Sequence, residues 1–244
     1  MGERIAMASG KGGTGKTSVC AAVATALAQM GQRVLCIDCD VGLRNLDIAL
    51  GLREMPAISF LDVCRGDYTL ADSTIHPHYK TLRFLTAPMS CPAWEVDPKA
   101  FEDLLDEASL VFDYIFLDAP AGLDAGFSLA ARFADRILLV TGSDPASIRD
   151  AARTGQILEQ MGKKNVRLVV NRVQKKVAAA MKLTVDDIMD ETGIPLMGLV
   201  PEDPRVVLSA AAGAPLLRYS RGSAANACRR IAKRLAGLPV PVLI

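Results

Sequence analysis

Ile5-Ala6-Met7-Ala8-Ser9-Gly10-Lys11-Gly12-Gly13-Thr14-Gly15-Lys16-Thr17-Ser18 is the stretch that decides the fold. A short run, apolar on both faces, leads into a glycine-rich loop, and an alanine-rich helical pattern follows over about 16–30. From Gly10 to Thr17 the loop satisfies G-x-x-x-x-G-K-[ST], with the strand before it and the helix after it that the motif requires. Glycines let backbone N–H groups converge on phosphate oxygens without a Cβ in the way. The helix that begins near Lys16 turns its positive end toward the same anion. Lys16 is placed to reach the β- and γ-phosphates, and the Thr17 hydroxyl to bind Mg²⁺. Gly12, Gly13, Thr14, Gly15, Lys16, Thr17 and Ser18 are the expected contacts of the loop.

Outward from this loop, short apolar runs alternate with helical patterns along the whole chain. Runs at 5–8, 34–37, 82–85, 114–117, 137–140, 166–170 and 196–199 are each four or five residues long and apolar on both faces. Parallel strands covered on both sides look like this. Helical patterns lie between them, at about 16–30, 57–64, 97–109, 124–134, 145–161, 184–192, 204–212 and 222–236. The repeat predicts an α/β fold: a doubly wound, mostly parallel sheet with helices on both faces. No linker or low-complexity stretch interrupts it, so residues 1–244 are expected to form one domain.

Composition removes several function classes. Half of the 244 residues are hydrophobic and 23% are charged, ample for a core and unlike a disordered chain. Aromatics at 5% are too few for base-stacking nucleic-acid platforms. No 18-residue uncharged apolar run exists, and the amino terminus does not read as a signal peptide. Six cysteines, mostly inside apolar runs, suit a reducing cytoplasm. Cys36-x-x-Cys39 straddles an expected buried strand and has no second CxxC to complete a metal site. The net charge of +1 hides segregation: residues 1–159 carry −7, 160–185 carry +7, 186–203 carry −6 and 204–244 carry +7.

Acids stand at the ends of two expected strands. The run 34–37 ends in Asp38-Cys39-Asp40, and 114–117 ends in Asp118-Ala119-Pro120-Ala121-Gly122. Carboxyl ends of parallel strands form the ligand edge of such a sheet. Asp118 after four apolar residues is a Walker B acid, expected on Mg²⁺ directly or through water. Gly122 offers an unshielded N–H to a γ-phosphate.

The second lysine makes the loop more specific. Lys11-Gly12-Gly13-Thr14-Gly15-Lys16-Thr17 resembles the deviant Walker A loop of the MinD/ParA family of dimeric P-loop ATPases. Asp38 to Asp47 and Asp118 to Gly122 resemble the MinD forms of switch I and switch II. The resemblance implies ATP and Mg²⁺ as ligands and a homodimer closed around two nucleotides. It implies that Lys11 acts in trans on the partner's phosphates, that Asp40 orients the attacking water, and that Asp38 lies near the metal. Asp47 is either part of the switch or only a loop acid or a helix cap.

The runs 166–170 and 196–199 end in Asn171-Arg172 and Pro201-Glu202-Asp203, which resemble the base-binding segments of the family. An amide carries donor and acceptor, which suits Asn171 to an adenine edge. Arg172 either stacks there or is solvated, while Pro201 and Asp203 are expected to line the pocket. Ala146 stands where the resemblance places a Glu, so a polar contact is expected to be missing there. Asp150 is either an acid of the dimer face or a first-turn helix acid.

Family members carry a membrane-inserting amphipathic helix at the carboxyl end. Here 222–236 places Ala225, Cys228, Ile231, Ala232 and Leu235 on one stripe and Arg229, Arg230, Lys233 and Arg234 opposite. The small residues fit a last domain helix packed on the sheet, with a solvated basic face. Pro239 and Pro241 then exclude an ordinary helix in 237–244, so either no autonomous anchor exists or the sequence is truncated. The resemblance implies a cytoplasmic protein, peripheral on the inner membrane face, with MinC- or MinE-like partners. Weak contact with anionic lipid is expected; DNA contact through Lys163, Lys164, Lys175, Lys176 and Lys182 is the less favoured alternative. That alternative is a ParA-like DNA-partition or flagellar-number ATPase. An iron–sulfur carrier of the same fold is excluded because 118–130 holds no cysteine.

Overall fold

The computed structural model describes residues 1–41, 43–88 and 96–242, and of Lys175 the backbone alone. Gly42 of the switch I stretch, the Lys175 side chain and residues 243–244 of the apolar end therefore lie outside the described residues.

Strands are β1 (Glu3–Ala8), β2 (Val34–Asp38), β3 (Thr74–Ile75), β4 (Leu82–Leu85), β5 (Tyr114–Asp118), β6 (Arg136–Thr141), β7 (Val166–Val173) and β8 (Leu196–Pro201). Among the described residues they form one eight-stranded sheet ordered β3-β4-β2-β5-β1-β6-β7-β8. All neighbours pair in parallel except β3 with β4. The seven runs read as strands are all strands. The two-residue β3 was missed because it is too short to carry a period.

Alternation along the strands assigns each apolar residue to a face. Ala6, Ala8, Leu35, Ile37, Ile115, Leu117 and Leu139 enter one buried cluster, and Ile5, Met7, Val34, Cys36, Phe116, Leu138 and Val140 enter the other. The first cluster is covered by α3 (Phe60–Cys64), α4 (Pro98–Val111), α5 (Ala125–Phe133), α6 (Pro145–Gln160) and α8 (Val185–Thr192). The second is covered by α1 (Lys16–Gln29), α2 (Leu46–Leu50), α10 (Leu216–Tyr219) and α11 (Ser223–Leu235). Two further helices, α7 (Lys175–Ala180) and α9 (Arg205–Ala211), flank the carboxyl edge of the sheet. Helices α2, α7 and α10 are six residues or fewer, below the length at which a 3.6-residue period shows.

The stripe expected on α11 is buried: Ala225, Cys228, Ile231, Ala232 and Leu235 are at most 5% exposed. A Cβ built on Gly198 of β8 would lie 2.5 Å from Ile231 Cγ1, so β8 and α11 approach as closely as a glycine allows. The basic face is not simply solvated. Arg229 donates to the Leu217 carbonyl at 3.1 Å. Arg234 donates to the carbonyls of Met197, Val240 and Pro241. Two arginines thus serve helix and tail backbone, a use that helical periodicity does not reveal. No helix among the described residues is long and apolar enough to cross a membrane.

Candidate nucleotide site

The sheet order sets the site. Because β2, β5 and β1 are neighbours, the loops after them meet at one edge. Asp38 and Asp118 are register partners on β2 and β5, and Met7 of β1 pairs with Asp118. The loop after β1, residues 9–15, turns into α1 through Gly13 and Gly15, both left-handed at φ 79° and 83°. A side chain at Gly15 would also meet Asn171 Nδ2 at 2.3 Å.

Lys16 opens α1 and is buried, its Nζ 2.7 Å from Asp118 Oδ1 and 3.3 Å from Thr17 Oγ1. Burial opposes its charge, but the Asp118 carboxylate outweighs burial and holds the ammonium above the ordinary lysine value. Asp38 is fully buried beside this pair. Its Oδ1 accepts from Asp40 N–H at 3.0 Å, and its Oδ2 from Asn45 and Leu46 N–H at 3.1 and 3.0 Å. Burial first, then Asp118, raises its carboxyl to about 6. Asp40 is half-buried above them, and burial raises its carboxyl too, with Lys16 opposing and Asp118 and Asp124 adding. A carboxylate raised this way is a better base for a water proton.

Two buried hydroxyls of the loop, Ser9 Oγ and Thr14 Oγ1, have no hydrogen-bond partner among the described residues. Orphaned donors under a glycine-rich turn, with a buried ammonium beside them, fit phosphate oxygens. Thr17 and Asp118 together offer the hard oxygen donors that Mg²⁺ takes alongside phosphates.

Beyond Gly15 lies a narrow, mostly apolar slot of ≈ 170 Å³ lined by Ser18, Val19, Asn171, Pro201, Val206 and Leu216. On the other side of the loop a wider groove of ≈ 550 Å³ is lined by Lys11, Gly12, Asp144, Arg172 and Glu202. The slot suits a flat ring; the groove, open and charged, suits polar ligand or protein groups.

The comparisons agree with this geometry. The family described as CobQ/CobB/MinD/ParA nucleotide binding domain matches residues 5–216. This chain belongs to the MinD/ParA family. Over 241 residues it is 37% identical to a putative septum site-determining protein MinD of Nephroselmis olivacea, covering 97% of this chain and 88% of that one. The MinD of Aquifex aeolicus, solved in a MinC:MinD cell division complex, is 34% identical with a TM-score of 0.92, covering 99% and 98% of the two chains. A septum site-determining MinD of Pyrococcus horikoshii, solved with Mg-ADP, is 27% identical with a TM-score of 0.83, covering 96% of each. The chain is therefore a MinD-like P-loop ATPase, a regulator of division-site placement.

Within this MinD-like site several residues stand differently from the sequence expectation. Asp38, expected at the metal, has both oxygens engaged by the switch I backbone. Gly122, expected to offer a free N–H, donates it to the Ser9 carbonyl at 3.2 Å. Asn171 gives its amide nitrogen to the Thr14 carbonyl at 2.7 Å, holding the phosphate loop. Arg172, at φ 57°, is neither stacked nor free: it donates to Glu202 Oε2 at 2.9 Å and to the Gly13 carbonyl at 3.2 Å. Pro201 lines the slot as expected. Asp203 borders it too, but its carboxylate accepts from Arg205 at 2.8 Å, from Ser223 Oγ and from Ala224 N–H, tying α9 to α11.

Asp144 was not singled out in the sequence. It caps α6 by accepting from Ser147 N–H at 3.0 Å, and it lies 3.3 Å from Lys11 Nζ. The Ser147 hydroxyl is the main cause of its carboxyl falling to about 2. Asp144 stands directly before Pro145 in the first turn of α6, and an Asp cap followed by proline is the helix-start signal that marks it. Asp150 is not a first-turn acid; it sits further along α6, with its carbonyl close against Gly10. Asp47 is buried in the first turn of α2 and pairs with Arg44 at 3.0 Å. Cys36 and Cys39 are buried thiols, and no cluster of metal-ligating side chains exists among the described residues.

Proposed function

We propose that the 1–244 chain works as one ATPase domain that binds Mg-ATP at this edge, closes into a homodimer and reopens after hydrolysis. The observation that carries the reading is the buried Lys16–Asp118 pair beneath the glycine-rich loop, flanked by two switch acids, Asp38 and Asp40, at the end of the neighbouring strand β2. Phosphates are the stronger partner for Lys16; with them bound, Lys16 would leave Asp118, and the Asp118 carboxylate and Thr17 hydroxyl would be the groups to hold Mg²⁺. Bound Mg²⁺ neutralises phosphate charge as it develops. Gly12, Gly13, Thr14, Gly15 and Ser18 supply the backbone and hydroxyl donors around the phosphates.

Asp40 orients the attacking water, helped by a carboxyl already raised by burial. Asp38 anchors switch I through its two carboxylate oxygens and would support the metal site without touching the ligand. Gly122 must leave the Ser9 carbonyl to meet a γ-phosphate, so its present hydrogen bond latches switch II in the ligand-free arrangement. Asn171 keeps its nitrogen on Thr14 and turns its oxygen to the adenine amino group, with Pro201 along the ring. Lys11, here on Asp144 of its own chain, crosses to the partner's phosphates in the dimer. Arg172 and Glu202 border the groove where the second copy would sit.

The Aquifex MinC:MinD complex supports a MinC-like regulatory partner for this chain. Peripheral attachment to the inner membrane face is the accompanying reading of location. The test uses Asp40→Ala and Lys16→Ala. Asp40→Ala should accumulate ATP-bound dimer in sedimentation, and Lys16→Ala should lose ATP binding. A monomeric Asp40→Ala with ATP bound would refute the role of Asp40, and retained ATP affinity in Lys16→Ala would refute the site. Co-sedimentation with anionic liposomes and with DNA, each with ADP and ATP, decides between a membrane partner and a nucleoid one.

A further inference from the structure

Helix α2 lies between the two halves of the site and is clamped at both ends. At its amino end, Asn45 and Leu46 donate to Asp38, whose other oxygen holds the Asp40 amide. The Arg44 amide returns to the Asp40 carbonyl at 3.3 Å. At its carboxyl end, Gly51 caps the helix at φ 69°. A Cβ there would lie 2.8 Å from the Gly213 carbonyl oxygen, 2.8 Å from Pro215 Cδ and 3.1 Å from Ala214 Cα. The contact is with backbone and a proline ring, neither of which can rotate away to absorb a shift. A second clamp holds the same end: buried His76 Nε2 lies 2.9 Å from the Leu50 carbonyl. His76 Nδ1 accepts from the His78 and Tyr79 amides, which fixes the tautomer with the proton on Nε2.

The turn that Gly51 touches joins α9 to α10. Val206 and Val207 of α9 and Leu216 of α10 form the wall of the slot beside Asn171. Leu46, Leu50, Leu52, Leu216 and Leu217 belong to the same buried cluster. A ring pressed against that wall therefore acts on the 213–215 turn, on Gly51, and through α2 on the loop that carries Asp40.

We propose that α2 is a strut by which an occupied purine slot sets the position of switch I, with Gly51 as its contact point and His76 as a second positioning residue. The proposal rests on the slot being the base site. It makes the base a contributor to ordering of Asp40, not only to affinity. A ligand with the same phosphates and no base would fill the glycine-rich loop while leaving switch I less ordered.

The experiment compares ATP with ribose 5′-triphosphate, both with Mg²⁺ and both saturating, by amide hydrogen exchange on the full chain. Asn45, Leu46 and Leu52 are the reporters, because each donates a defined hydrogen bond at an end of α2. Protection should be about tenfold greater with ATP, within the range that coupling between sites covers. Equal protection, with ribose triphosphate binding more weakly, overturns the strut and leaves the base site standing. Equal affinity for the two ligands overturns the base site itself. Gly51→Ala should abolish the difference in protection. Gly213→Ala is the control: it introduces similar left-handed strain at φ 62°, but a Cβ there meets nothing within 4 Å among the described residues, and the difference should persist. Loss of the difference in both variants overturns Gly51 as the contact point.

Discussion

Replacing Asn171 by Ala separates two roles that one side chain holds. Its Nδ2 donates to the Thr14 carbonyl across 157 residues of sequence, and the residue is 7% exposed. Deleting the amide removes a buried hydrogen bond and leaves the Thr14 carbonyl short of a partner, together about 2 kcal/mol. For a chain of this size that is a fall in melting temperature of roughly 4–8 °C for the ligand-free protein. The carbonyl belongs to the phosphate loop, so loosening it costs every ligand that uses the loop. Titration calorimetry with ADP and with inorganic tripolyphosphate, both with Mg²⁺, should show about tenfold weaker binding of each, equivalent to about 1.4 kcal/mol. ADP should lose more than tripolyphosphate, by the contribution of the base. Unchanged tripolyphosphate affinity with weakened ADP would show that Asn171 touches only the base, and the loop-anchoring argument would be wrong.

Further outcomes follow from the same geometry. Gly15→Ala places a Cβ 2.3 Å from Asn171 Nδ2 at φ 83°, so it should cost about 2–4 kcal/mol in denaturant unfolding and abolish nucleotide binding. Asp203→Ala removes the acceptor that ties α9 to α11; it should lower stability by about 2–3 kcal/mol and weaken ADP more than tripolyphosphate. His76 is held neutral, its pKa lowered from 6.5 to about 4 chiefly by burial. Between those values the folded chain binds fewer protons than the unfolded one, so this stability is complete above pH 6.5 and lost as pH falls through about 4. Thermal melts of His76→Gln over that interval should accordingly decline less steeply than those of the parent. Lys11→Ala should leave ADP affinity of the monomer unchanged within twofold and prevent ATP-dependent dimer formation in sedimentation.

The sheet and the phosphate loop were legible because their signals are local. Strand runs such as 114–117 need only be apolar on both faces, and Gly13, Gly15, Lys16 and Thr17 act within one turn of chain. Strand-end acids were legible for the same reason: a strand that stops at Asp38 or Asp118 must place that acid at the carboxyl edge. Not every short element was legible. Helix α2 spans Leu46–Leu50, too few residues for a period, whereas the equally short α3 falls inside the helical pattern at 57–64.

The sequence alone therefore determined the fold class, the phosphate loop and which carboxylates reach the ligand edge. The tertiary structure decided what each of those groups does there. Strand order places Asp38 beside Asp118 and turns its oxygens to the switch backbone, and it brings Asn171 to Thr14. The capping of α6 sets Asp144 opposite Lys11. Arg234 meets the Met197 carbonyl because α11 packs along β8. Each of these is a polar partnership between residues on different elements. No periodicity encodes such a pairing, since it depends on which strands become neighbours and on which buried donor is left without water.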